Sequence, residues 1–165
     1  MEMLKKLNKY DDDWTTPLAV WDNIKDYLPK GNTVIWEAFF NEESKSVEHL
    51  RSLGCSVVYG NIDFYTNDIG DCIVTNPPFS DKERVINRLY ELDKPFIITI
   101  PIHSLATRFI KNKFKNKLQV IIPDLRIHFE KRDKDSGERR TLKRTPFDTI
   151  YVCYKMNLPR DILWL

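Results

Sequence analysis

The chain is predicted to be an α/β protein, a doubly wound sheet that is mostly parallel with an antiparallel final strand. Three observations predict it. Short apolar runs alternate with amphipathic segments along the whole sequence, as they do when each strand is returned to its sheet by a helix. Runs such as Cys72–Thr75 and Phe96–Ile100 are apolar along their length, the pattern of strands covered on both faces. Near the end, two strand-like runs flank a long polar stretch, the pattern of an antiparallel pair.

Each element has a local reason. Thr16 can cap a helix with Pro17 in its first turn, and Val20, Trp21, Ile24, Tyr27 and Leu28 recur at helical spacing until Pro29 and Gly31 stop it. Thr33 to Trp36 reads as a buried strand. Val47, Leu50 and Leu53 line one side of a second helix, which ends at Gly54 in the C′ place, and Cys55 to Tyr59 forms the next strand. After Cys72–Thr75, a helix turns Val85, Ile86, Leu89 and Leu92 inward and stops before Pro95, so that Phe96–Ile100 follows as a strand. Ile110, Phe114 and Leu118 predict a further helix. Leu118 to Ile122, Leu125 to Glu130 and Thr149 to Tyr154 supply the closing strands.

The 165 residues, 42% of them hydrophobic, suit a single domain over 1–165, with 130–147 as a basic hairpin arm. The net charge of +2 is too small to name a partner. The absence of a secretory signal and of any bilayer-length apolar run, together with three cysteines, an odd number, predicts an intracellular place, cytoplasmic or, for a virus, inside its host. Cys55, Cys72 and Cys153 all fall in strand-like runs, where the expected role is a small buried hydrophobe. With no CxxC and no paired histidines, no metal is expected.

Chemistry concentrates at Asn76-Pro77-Pro78-Phe79, directly after an apolar strand and before a helix start. An aromatic exocyclic amine is a poor nucleophile because its lone pair is delocalised, so a catalyst must draw both N–H groups out of the ring plane. The side-chain carbonyl of Asn76 and the backbone carbonyl of Pro77 are two such acceptors, and the two prolines stiffen the turn and remove competing N–H donors. Phe79 offers a plate for an unstacked base, once that base has left its duplex. A purely local reading also exists: Ser80 and Glu83 make a capping box, with Phe79 in the preceding place where an apolar residue staples to the fourth helical position. That position is Arg84, a poor staple partner, which leaves Phe79 without a local structural job. In an open α/β sheet, ligands gather at strand carboxyl ends beside the topological switch, where Asn76 emerges.

Taken in order, Asp13-Trp14-Thr15-Thr16-Pro17, Trp36-Glu37-Ala38-Phe39, Asn76-Pro77-Pro78-Phe79, Arg126-Ile127-His128-Phe129 and Pro146-Phe147-Asp148 resemble the small phage and large-virus type of DNA N6-adenine methyltransferase. The similarity runs over most of the chain; its specific part is Asn-Pro-Pro-Phe. It implies a Rossmann-like methyltransferase sheet, S-adenosylmethionine as cofactor and DNA as partner, with RNA as a further candidate. Asn76, Pro77, Pro78 and Phe79 become the catalytic element. Trp14, Thr15, Thr16, Pro17, Glu37, Phe39, Asp63 and Phe64 become cofactor residues, Glu37 facing the methionine amino group and Asp63 with Phe64 holding the adenine. The family's cofactor loop has the form Glu-Pro-Phe-x-Gly-x-Gly, whereas this chain reads Glu37-Ala38-Phe39-Phe40-Asn41-Glu42-Glu43, without either glycine and with two extra carboxylates. Between 130 and 144, seven Lys or Arg stand against four acids, and Lys131, Arg132, Arg139 and Arg140 are the candidates for tracking substrate phosphates. A chain this small leaves room for a homodimer or a partner that supplies specificity.

Three functions follow from these residues: a DNA adenine methyltransferase; the same transfer to an RNA base amine or a protein glutamine; or a nucleic-acid-binding or regulatory subunit that has lost turnover. Of the histidines, His103 alone falls at a strand end next to the motif strand. The apolar carboxyl-terminal segment from Leu158 is expected to pack back onto the domain or to dock a partner.

Overall fold

The computed structural model describes residues 14–41, 44–132, 136, 138–141 and 147–165, with the backbone alone for 14, 131, 132 and 139–141. The chain runs β1 (Trp14–Thr15), α1 (Ala19–Asp22), β2 (Val34–Trp36), α2 (Ser46–Ser52), β3 (Ser56–Val58), β4 (Cys72–Thr75), α3 (Lys82–Leu92), β5 (Phe96–Pro101), α4 (Arg108–Phe114), β6 (Leu118–Ile122), β7 (Glu130–Arg132), β8 (Arg139–Thr141), β9 (Thr149–Tyr154) and β10 (Ile162–Trp164). Tight 3-10 turns at Phe79–Asp81 and Ile102–Ala106 lead into α3 and towards α4.

Seven strands form the main sheet in the order β10-β6-β9-β5-β4-β2-β3. Every neighbouring pair is parallel except those of β9, which runs antiparallel between β5 and β6. The chain leaves β2 for the edge strand β3 and returns to β4 on the other side of β2, so the topological switch lies between β2 and β4. That switch positions the site.

Two hydrophobic layers cover the two faces, which is why the strands are apolar along their length. On one face Val20, Trp21, Ile24 and Leu28 join Val47 and Leu50 of α2 over Ile35, Val74, Ile97 and Tyr151. On the other, Val85, Ile86 and Leu89 of α3 join Ile110 and Phe114 of α4 over Ile73, Phe96, Ile98 and Val152. All three cysteines are buried and free.

Several boundaries match the sequence reading and several do not. The second helix closes as expected on Gly54, at φ +91°, with the Gly54 and Cys55 amides donating to the carbonyls of Arg51 and Leu50, a Schellman closure. The first helix is a single turn, and the chain from Asn23 to Tyr27 continues in i→i+3 bonds that still bury Ile24 and Leu28. Thr16 does not cap it, because the N-cap is Leu18 and the Thr16 hydroxyl is used elsewhere. Nor does Ser80 cap α3: the turn at Phe79–Asp81 moves the cap position to Asp81, whose carboxylate accepts the Tyr65 hydroxyl at 2.5 Å. The expected strand Leu125 to Glu130 is not one. Leu125 is 77% exposed while Ile127 and Phe129 are buried, so this segment leaves the sheet, and only Glu130 at its end enters a strand. The antiparallel strand, β9, is not the last either, for the carboxyl-terminal segment packs back as β10, parallel to β6.

The expected hairpin arm starts as β7 and β8, with Lys131 opposite Arg140 and Arg132 opposite Arg139. Trp14 and Thr15 add a third strand on β7, at Lys131 and Glu130. This small sheet ties the amino-terminal Trp-Thr-Thr-Pro element to the arm, a link invisible in the sequence because its two parts lie more than a hundred positions apart.

Candidate active site

Strand ends define an open cavity of about 860 Å³ at the β2/β4 switch, within the usual ligand-pocket range of about 300–1,000 Å³. Its wall is made by the segment after β2 (Glu37 to Asn41), the loop after β3 (Gly60 to Asp63), the motif Asn76 to Phe79, and Thr16 with Ser44. Eight of the twelve predicted catalytic and cofactor residues therefore meet in one place.

Asn76 is half-buried and held at both ends of its amide. Its Nδ2 donates to the Thr16 hydroxyl at 2.9 Å, and its Oδ1 accepts from the hydroxyl of Thr99 on β5. A carbonyl oxygen has two lone pairs, so one remains for a guest. Pro77 is buried and Pro78 extended at φ −62°, ψ 128°, and among the described residues nothing donates to the Pro77 carbonyl. Two acceptors thus stand side by side on a stiff turn, both with capacity left.

Glu37 follows β2 and is 3% exposed. The Thr75 hydroxyl donates to its carboxylate while accepting the Phe39 amide at 3.2 Å, so a single threonine at the end of β4 braces the start of the β2 loop. Burial pushes the Glu37 carboxyl up to about 7, against the hydrogen bonds from Thr75 and the Phe39 amide, which lower it. A carboxyl in that state on a cavity wall, with no cation against it among the described residues, suits a ligand ammonium group.

The Asp63-Phe64 pair divides. Asp63 reaches the cavity, but its carboxylate also accepts the Tyr65 amide at 3.0 Å and the Thr66 hydroxyl at 2.9 Å, and these bonds hold it below the usual carboxylate range. Phe64 does not line the cavity. It is 3% exposed, packed on Trp36 at 5.5 Å and Phe39 at 4.9 Å between ring centroids, because the turn capped by Asp63 points the next side chain into the core. The expectation that its ring holds an adenine is corrected; Ile62 provides the apolar wall there.

Phe79 also has a structural job, which its neighbours in sequence do not reveal. It is 5% exposed and meets Phe129 and Phe147 edge to face, at 5.7 and 5.0 Å. Those two rings stand at the two roots of the basic arm, which the Arg126–Asp148 ion pair, at 2.8 Å, also joins. Only a margin of Phe79 reaches the cavity, so a fully open plate is not present. Truncation of Phe79 to Ala is expected to lower the unfolding free energy by about 3–5 kcal/mol, measured by urea denaturation.

Thr15 is buried and Pro17 half-buried, and neither lines the cavity; the Pro17 carbonyl accepts the Val20 amide and so opens α1. The side chain of Trp14, those of Lys131, Arg132, Arg139 and Arg140, and all of Glu42 and Glu43 lie outside the described residues. His103 is exposed on the turn after β5 and does not line the cavity. The sequence reading missed Thr75 and Thr99. Their signal was a hydroxyl near the end of an otherwise apolar strand on either side of the motif. Among the described residues no helix is long and apolar enough to cross a membrane, and no cluster of three metal-ligating side chains occurs.

No family model matches the chain, and no curated protein sequence does. Solved structures with a similar course include a tRNA methyltransferase from Aquifex aeolicus (TM-score 0.41, 13% identity, 82% of this chain and 66% of that one). Others are a putative RNA methyltransferase from Pyrococcus horikoshii (0.45, 15%, 93% and 80%) and a precorrin-6y methyltransferase from Geobacter metallireducens (0.43, 11%, 88% and 96%). The chain spans just under two thirds of the Aquifex protein. The order of its own strands, with the lone antiparallel strand inserted between β5 and β6, makes the fold a doubly wound, Rossmann-like α/β sheet.

Proposed function

We propose that this chain is an S-adenosylmethionine-dependent methyltransferase acting on the N6-amino group of adenine in DNA. One observation carries the reading: the Asn76 amide, held by two threonines beside the Pro77 carbonyl, opens into the same cavity as the buried carboxyl of Glu37. The first pair suits an NH₂ group in the plane of a ring, and the second suits an α-ammonium group.

The residues fit the cofactor. Glu37 would accept its ammonium group, and Phe39, Ile62 and Asp63 would enclose its adenosine half. When bound, this group supplies a methyl already activated by a sulfonium. The chain's own task is then to orient the acceptor. With one amine N–H on Asn76 Oδ1 and the other on the Pro77 carbonyl, the nitrogen lone pair turns out of conjugation and towards the cavity, and no general base is required because an N-methylated anilinium-type nitrogen sheds its proton readily. The arm residues Lys131, Arg132, Arg139 and Arg140 would track phosphates, adding salt-dependent affinity without reading sequence. A second copy or a partner would supply specificity, and an intracellular setting would match a DNA substrate.

Calorimetry with S-adenosylmethionine, followed by transfer of labelled methyl to DNA, RNA and total protein, tests this. Micromolar binding and label on DNA adenine are the expected results. Label on RNA or on glutamine keeps the enzyme and changes its substrate. No binding at millimolar cofactor would leave the subunit without turnover that Asn41, Glu42 and Glu43 suggest in place of the cofactor-loop glycines.

A further inference from the structure

We propose that Thr99 and Thr16 form a two-point clamp that fixes the place and plane of the Asn76 amide, which makes both of them positioning residues for methyl transfer. The inference rests on reading Asn76 as the acceptor for the substrate amine. Thr99 is 0% exposed within β5, whose other residues are apolar, and its hydroxyl donates to Asn76 Oδ1. A hydroxyl sunk in such a strand costs stability unless it is bonded, and Asn76 supplies the bond. Thr16, half-buried just after β1, accepts from Asn76 Nδ2 at 2.9 Å.

The need for a clamp lies in the shape of the side chain. The terminal torsion of an asparagine is broad, so an unbraced amide swings through a wide arc. In one plane its oxygen offers a lone pair to the amine of a base; swung out of that plane, it offers the lone pair elsewhere. Thr99 takes one lone pair of the oxygen and leaves the second for the amine. Thr16 holds the nitrogen end. Swinging the amide away from these hydroxyls gives up both bonds at once. The anchors differ in stiffness: Thr99 belongs to a six-residue strand at the centre of the sheet, Thr16 follows a two-residue strand that pairs with the arm.

The test uses the full chain with Thr99→Val, Thr99→Ser and Thr16→Val. Two readouts are taken: steady-state transfer to adenine-containing DNA, and the side-chain NH₂ signal of Asn76 in ¹⁵N–¹H spectra, assigned by its loss in Asn76→Asp. Thr99→Val is expected to lower kcat about 100-fold, the scale of a small misplacement at a reacting group, with cofactor affinity unchanged within about twofold. Thr99→Ser restores kcat to within about threefold of wild type, and Thr16→Val lies between them. The Asn76 NH₂ pair loses its exchange protection in both Val variants. The proposal is overturned if Thr99→Val keeps its kcat, if the serine variant is as slow as the valine, or if the NH₂ signal is the same in all variants. Should wild type methylate no amine at all, the functional reading falls, and the spectra still decide whether the clamp exists.

Discussion

Asn76→Ala is expected to reduce methyl transfer to DNA adenine by about 1,000-fold or more, the scale seen when one polar group aimed at a reacting centre is removed, while cofactor binding stays within about twofold. One of the two acceptors is gone, and the Pro77 carbonyl alone cannot hold both amine hydrogens, so the lone pair relaxes into the ring. The structural cost is smaller. The buried Thr99 hydroxyl and the Thr16 hydroxyl lose their partner together, which lowers stability by about 1–3 kcal/mol and leaves the sheet intact. Asn76→Asp keeps an oxygen acceptor towards the amine and is expected to be the faster of the two variants. Single-turnover rates with labelled cofactor, beside thermal unfolding of each variant, separate the chemical loss from the structural one. Equal rates for Asn76→Ala and wild type would mean that the turn after β4 does not orient an amine.

The importance of Asn76 was legible in the sequence, because the motif and the strand before it are local. Cys72–Thr75 is a strand over the span its apolar run predicts, and the turn emerges at the switch. Gly54 announced the end of α2 by its own backbone freedom. What the sequence could not show depends on partners distant in the chain. Phe79 looked unoccupied because its fourth-position neighbour is Arg84, while its real partners are Phe129 and Phe147, fifty or more residues away. Thr16 looked like a helix cap because Pro17 follows it, but a bond to Asn76 competes for the same hydroxyl. Phe64 looked like part of a ligand wall, and the turn capped by Asp63 sends it inward. Propensity names the elements; the long-range competitor decides which local preference is used.

Glu37 makes the second large prediction, since the same burial that prepares it for a ligand ammonium weakens the empty protein. Its carboxyl has an ordinary value of 4.5 and rises to about 7 in the folded chain, with desolvation the largest cause. The folded state therefore holds a proton that the unfolded state releases between these values. Stability from this group is fully present below about pH 4.5 and is lost as pH rises through about 7, a difference of about 3 kcal/mol. Glu37→Gln still accepts the Thr75 hydroxyl and never ionises, so at pH 8 it is expected to unfold at a higher temperature than wild type, with the two converging towards pH 5. Cofactor affinity changes in the opposite sense. An ammonium group needs the ionised carboxylate, so wild-type affinity falls by close to tenfold for each pH unit below about 7, with a proton released on binding, and Glu37→Gln binds weakly at every pH. Calorimetry in buffers of different ionisation enthalpy counts that proton. A wild-type affinity flat from pH 5.5 to 8, or a Glu37→Gln variant no more stable than wild type at pH 8, would show that Glu37 braces the loop through Thr75 and receives no cation. Gain of stability with loss of binding in one substitution is the signature of a group buried for its ligand rather than for the fold.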